Sequence, residues 1–237
     1  MVNWFWKRRR PVRILRLRAR GERGDALRVD FSELAPDVDV FLGQAAYLQI
    51  GFFETLTRLI RRTPDLSEKE ALSLAAGAAL RKHRGIVDII RDRGDDPNDL
   101  MRPFQTELDA FRRKTLGTRP RETMLTVIIT AGILDDFYLA LASGYGEVGR
   151  RAAKVLSGGD DRQQIASLIR ETAGGDEEMR GLLSMWARRL VGDTLLVARA
   201  ALSATIDDRA REEKIEPVYT ALVASHTRRM DSLGLSA

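Results

Sequence analysis

Two histidines and no cysteine limit the chemistry this chain can carry. Without thiols there are no disulfides, iron–sulfur clusters, thiolate zinc sites or cysteine nucleophiles, so any site is built from oxygen and nitrogen ligands. The spacing singles out Gln49 and His83, each in the middle of an apolar stripe of helical period and therefore facing a core. A buried polar side chain without a partner costs ~1 to 3 kcal/mol, so both need one. The acidic candidates are Asp135-Asp136 and the Gly158-Gly159-Asp160-Asp161 turn. The turn has too few regularly spaced oxygens for a calcium loop. His226 lies far along the chain in the final helical stretch. No Ser/His/acid motif, Walker loop or dinucleotide fingerprint occurs.

Helices must position these residues. After Pro36 an apolar stripe runs through Val38, Leu42, Ala45, Ala46, Phe52, Phe53, Leu56 and Ile60 to Pro64, with Gln49 on it. Ser67-Glu68-Lys69-Glu70 reads as a capping box opening a second helix, whose stripe of Leu72, Ala76, Ala79, Leu80, Val87 and Ile90 passes through His83 and stops at Gly94. A connecting helix from Asp96-Pro97 runs through Met101, Phe104, Leu108 and Phe111. A third long helix covers Glu122 to Ala142. A fourth begins near Glu147 and should break at Gly158-Gly159, since each helical glycine costs ~1 kcal/mol relative to alanine. Helices over Asp176 to Ala204 and Glu216 to Leu233 complete the chain. Short loops between long amphipathic helices imply antiparallel neighbours around one core, an all-α four-helix bundle with additional helices.

The charge is uneven. The first 29 residues hold 10 Lys/Arg against 2 Asp/Glu, a net +8 within a total of +5, which leaves the body at −3. The basic charge is thus an arm, with Lys7, Arg8, Arg9, Arg10, Arg16, Arg18 and Arg20 as the residues that would meet a polyanion. Alternation over Leu15–Arg20 and Leu27–Phe31 about Gly21–Asp25 predicts a short β-hairpin with a basic ridge, against a solvated leader as the plainer reading. Domain boundaries follow: an arm over 1–31 and a bundle over 32–237. The arm suits RNA or an anionic surface, and Trp4, Phe5 and Trp6 beside it could stack on bases or enter a membrane interface. Arg188-Arg189 and Arg228-Arg229 are read as solvated helix faces. The start lacks the apolar core of a signal peptide, and no later run is read as reaching the ~20 residues of a membrane helix. A soluble, cytoplasmic protein is expected.

Several segments together resemble a known family: Leu42-Gly43-Gln44-Ala45-Ala46-Tyr47-Leu48-Gln49, Gly132-Ile133-Leu134-Asp135-Asp136-Phe137-Tyr138, Trp186-Ala187-Arg188-Arg189-Leu190-Val191-Gly192 and His226-Thr227-Arg228-Arg229-Met230-Asp231-Ser232-Leu233-Gly234. They look like actinobacterial ferritin-like-fold proteins related to the di-iron (MiaE-like) hydroxylase of methylthio-isopentenyl adenosine in tRNA. The resemblance implies a ferritin-like bundle in which the first helix supplies a Glu and the second a Glu-x-x-His, a pattern repeated by the other helix pair. Carried over, the first Glu falls on Gln49, the Glu of Glu-x-x-His on Leu80, and its histidine on His83. The third-helix carboxylate falls near Ala131, with Asp135 and Asp136 as alternatives. The last motif falls near Gly158 and Asp161, with no histidine. A di-iron site needs several carboxylates to offset the metal charge. The expectation is a vestigial site with no metal and no catalytic residue, in a binding or scaffold module that meets a partner protein or a second copy. The alternative is an iron-dependent tRNA hydroxylase with a rearranged centre. In the vestigial reading His83 is a core histidine bonded to Gln49 or an aspartate, with Asp135 or Asp136 and Tyr138 as its neighbours on the third helix; the plainer reading of Asp135-Asp136 is an ion-pair partner on a helix face, the other an Asp135 that points inward with Tyr138.

Overall fold

The structure is a computed structural model that describes residues 35–159, 162–202 and 208–237, with side chains from 216 in the last segment. All regular elements among these residues are helical. The arm hairpin and its basic residues lie outside the described residues.

α1 (Val38–Arg62) and α2 (Leu66–Asp92) form the most extensively packed helix pair. The turn between them follows from Thr63-Pro64, since the residue before a proline is driven to extended backbone, and Thr63 is extended at the end of α1. The cap of α2 corrects the sequence reading. Asp65, rather than Ser67, is the N-cap: its carboxylate accepts from the Glu68 amide at 2.8 Å, and the Ser67 hydroxyl donates to the same oxygen. A carboxylate one residue into the turn satisfies an orphan amide and complements the helix dipole, a contribution of ~1 kcal/mol.

The connecting segment is two helices rather than one. α3 (Pro97–Met101) begins at Asp96, whose carboxylate accepts from the Asn98 amide, and a 3-10 turn over Arg102–Phe104 separates it from α4 (Gln105–Thr115). Pro103 has no amide hydrogen to give an α-helical ladder, which accounts for the interruption. α5 (Pro120–Ala142) starts with proline in its first turn, and the Glu122 carboxylate gathers the amides of Thr118 and Arg119. α5 is buried on nearly every face and packs against α1, α6, α7, α8 and α9. This is why its sequence is apolar all round rather than on one stripe. Contrary to the sequence reading, the stretch Pro120–Ser157 is long and apolar enough to cross a membrane. Its apolar window is 83% buried within the protein, as for a core helix.

The fourth side of the bundle is broken, as the glycines require: α6 (Gly146–Ser157) and α7 (Gln163–Gly175) both pack against α2 and α5. The core is therefore a square of α1, α2, α5 and the α6/α7 pair. α8 (Glu177–Ala200) and α9 (Asp208–Ser232) lie against α5. α8 ends four residues before the expected boundary. α9 begins eight residues earlier than Glu216 and runs through Pro217. The charged stretch preceding Pro217 has no apolar period to betray it, and a proline is commoner in the first turn of a helix than inside one.

Candidate functional site

Asp135 sits on α5 at the centre of the square, 5% exposed. Its Oδ1 accepts from Gln49 Nε2 of α1 at 2.9 Å, and its Oδ2 accepts from Lys82 Nζ of α2 at 2.8 Å. Arg162, just before α7, brings a guanidinium nitrogen to 3.1 Å from Oδ2. Each side of the square thus sends one side chain to a single carboxylate. Gln49 and Lys82 are 4% and 7% exposed. A buried carboxylate and a buried ammonium are tolerable only when paired and hydrogen-bonded, and here each serves the other.

Gln49 is therefore where the helical stripe put it, but its partner is not His83. His83 is half-buried, and its Nδ1 lies 2.9 Å from the Ala46 carbonyl, which can only accept, so the ring donates from Nδ1 to α1 backbone. The expectation that His83 meets Gln49 or an aspartate is corrected. Residues 75, 79, 82, 86 and 89 form the buried line of α2, and His83 stands ~100° round from Lys82. The charge of a lysine marks it in a sequence as a surface residue, although its four-carbon stem packs well along apolar helices.

The remaining positions separate. Leu80 is half-buried, Ala131 is buried one turn before Asp135, Gly158 is exposed, and Asp161 lies outside the described residues. Tyr138 is buried but does not bond Asp135: its hydroxyl donates to Gln44 Oε1 at 3.1 Å, and burial holds it well above the ordinary phenol range. Asp136 turns to α9, where it accepts from the Ser225 hydroxyl at 2.8 Å and the Arg229 guanidinium at 2.9 Å. A β-carbon on Gly132 would stand 2.4 Å from Arg229 Nε, so the absence of a side chain there lets Arg229 lie flat on α5. Beside it His226 is fully buried with an unpartnered Nδ1. Burial, with the neighbouring Arg229 charge, pushes its pKa down to about 4. Two of the sequence motifs, residues 132–138 and 226–234, thus meet across α5 and α9 through Asp136 and Arg229.

Among the described residues no three His, Cys, Asp or Glu side chains converge to hold a metal ion. The donor chemistry at Asp135 points the same way. Its carboxylate has two cationic neighbours, and a divalent ion ~4 Å from an ammonium is opposed by about 8 kcal/mol at an effective dielectric of ~20. Among the described residues, those that meet at this point supply one carboxylate where an iron pair needs several. Gln44, Lys82 and Arg162 are the contributors that sequence reasoning missed. Lys82 could have been found from its three- and four-residue spacing to Ala79 and Ile86.

With this architecture in place, the family follows. A family model described as a ferritin-like domain of actinomycetes matches residues 34–215, and the chain belongs to that family. The search of curated proteins returns no match.

Proposed function

We propose that this chain is a non-catalytic ferritin-like protein in which the Lys82–Asp135–Gln49 cluster stands where relatives of the di-iron (MiaE-like) hydroxylase type would hold metal. It works as a cytoplasmic binding or scaffold module. The observation that carries this reading is the 2.8 Å contact between Lys82 Nζ and Asp135 Oδ2 in the bundle interior. An internal ammonium supplies the positive charge that a metal would otherwise bring, so the bundle closes around its carboxylate without iron. In this reading residues 32–237 form the bundle that meets a partner protein or a second copy. Residues 1–31 add a basic arm for RNA or another anionic surface.

Elemental analysis of protein purified from iron-supplemented cells tests it. Iron well below one atom per chain is expected, and the same low content after Lys82→Met, because Gln49, Leu80 and Ala131 still lack charged ligands. Stoichiometric iron or manganese in the unaltered protein would overturn the reading and promote an oxygen-dependent tRNA hydroxylase with a rearranged centre.

A further inference from the structure

α8 is apolar on two faces. Its buried line of Leu183, Ala187, Leu190, Thr194 and Ala198 packs into the protein, chiefly on α5. On the opposite side Met185 is 60% exposed and Leu196 65% exposed. At 3.6 residues per turn Gly181, Met185, Gly192 and Leu196 fall within ~60° of one another, so they make one stripe along a helix ~36 Å long. The outer face of a surface helix ordinarily carries polar side chains. The glycines are unexplained within one chain as well. A helical glycine is less stable than alanine, and β-carbons on Gly181 and Gly192 would meet nothing within 4 Å. Large exposed apolar side chains on either side of a glycine that its own chain does not require suit a face onto which another helix closes.

Charge decides which helix that is. Arg189 and Asp193 stand on one flank of the stripe, ~40° apart around the axis. The Arg189 guanidinium lies 5.7 Å from the centre of the Trp186 ring, and half-buried Asp193 has no ion-pair partner among the described residues. Consider an antiparallel copy of α8 related by a two-fold axis at the midpoint of Leu190 and Val191. Met185 and Leu196 each lie ~8 Å along the helix from that midpoint, so Met185 comes level with the second copy's Leu196, and the reverse. Such an axis sets like flanks side by side, which brings Arg189 within ~1.5 Å of the level of the second copy's Asp193. Gly192 falls close to the axis, where a side chain would hold the helices apart. A parallel copy would instead set Arg189 beside the second copy's Arg188, a repulsive pair.

We propose that the outer face of α8 is the contact between two copies of this chain, antiparallel about a two-fold axis, with Met185 packed on the second copy's Leu196 and Arg189 paired with the second copy's Asp193. The choice of a second copy rests on the binding or scaffold reading above, and the two fail separately: iron content tests the metal-free centre, and mass in solution tests this face. One helix face buries less than the ~800 Å2 per partner of a standard interface, so the dimer is reversible, with a Kd on the order of micromolar.

The test follows the full chain by sedimentation velocity from about 1 to 300 µM. The mass should move from that of one 26.6 kDa chain toward twice that value. Leu196→Glu should weaken association at least ~100-fold, because one substitution strikes a two-fold interface twice. Met185→Glu serves the same purpose if circular dichroism shows that Leu196→Glu does not fold. Arg189→Asp and Asp193→Arg should each weaken the dimer by about tenfold, and the double variant should recover to within ~threefold of the unaltered chain. The chain has no cysteine, so introduced thiols report the register. A mixture of Met185→Cys and Leu196→Cys chains should form a disulfide-linked dimer on mild oxidation, whereas either variant alone, with its thiols ~16 Å apart along the helices, should not. A chain that is monomeric throughout overturns the proposal, as does a dimer that survives Leu196→Glu or that cross-links in the single variants but not in the mixture. A full chain that stays monomeric while one lacking residues 2–20 dimerises would assign the face to the arm and refute it too.

Discussion

Replacing Lys82 by methionine isolates the interaction on which the bundle interior turns. Methionine keeps most of the length and apolar stem of lysine, so packing along α2 is nearly conserved and the change removes the ammonium. Asp135 then keeps Gln49 at 2.9 Å and Arg162 at 3.1 Å but loses its closest cation, 2.8 Å away. Breaking a buried pair from one side costs about 3 to 5 kcal/mol where nothing else serves the survivor. Arg162 remains, so the expected loss is nearer ~3 kcal/mol. For a chain of this size that corresponds to a fall in Tm of roughly 6 to 12 °C. The measurement is urea denaturation followed by circular dichroism, with Lys82→Met, Asp135→Leu and the double variant run together. If the two side chains serve each other, the double variant should cost at least ~2 kcal/mol less than the two single losses combined. The reasoning fails if Lys82→Met unfolds within ~0.5 kcal/mol of the unaltered protein, or if the two losses simply add.

Three further outcomes follow from the same geometry. His83→Ala removes one hydrogen bond from a half-buried ring to the Ala46 carbonyl, so denaturation should report a loss of only ~1 kcal/mol, against ~3 kcal/mol at Lys82. His226 has its folded-state pKa lowered to about 4 from 6.5, so the unfolded chain binds the extra proton first as the medium acidifies. Stability should therefore be whole above pH 6.5 and fall between pH 6.5 and 4. The drop should be on the order of 1 to 2 kcal/mol once solvent screening is allowed for, and His226→Leu should remove that part of the pH profile in urea titrations at stepped pH. Deleting residues 2–20 removes most of the arm's basic charge. Filter binding to a mixed-sequence RNA should then weaken and lose most of its salt dependence, while an unchanged salt slope would exclude the arm as the anion contact.

Much of the bundle was legible because its determinants are local. Thr63-Pro64, Asp96-Pro97 and the paired glycines at 158–159 act on their own backbone, and the stripes of α1 and α2 repeat often enough to set a face. Where a boundary was misjudged, the cause was equally local. The segment before Pro217 is charged except at Ala210 and Ile215, so no periodicity marks the start of α9, and Ser67 resembles a cap while Asp65 does the capping. The interior polar contacts were harder to read because they depend on which of two consecutive residues faces inward. On α2 the choice between Lys82 and His83 is a rotation of ~100°, decided by Ala75, Ala79, Ile86 and Ile89.

The two adjacent aspartates on α5 show what that rotation does. Asp135 faces the square and receives Gln49 and Lys82, while Asp136, one residue on, faces α9 and receives Ser225 and Arg229. A metal centre would need such carboxylates to converge, since several must share a small cation charge. Here they diverge, and each has found a separate organic cation. α5 is consequently tied on one side to the bundle square by a buried pair, either member of which would be left buried and unpaired without the other, and on the other side to the C-terminal helix by a partly exposed pair. A protein organised in this way relies on helix docking for its interior charges.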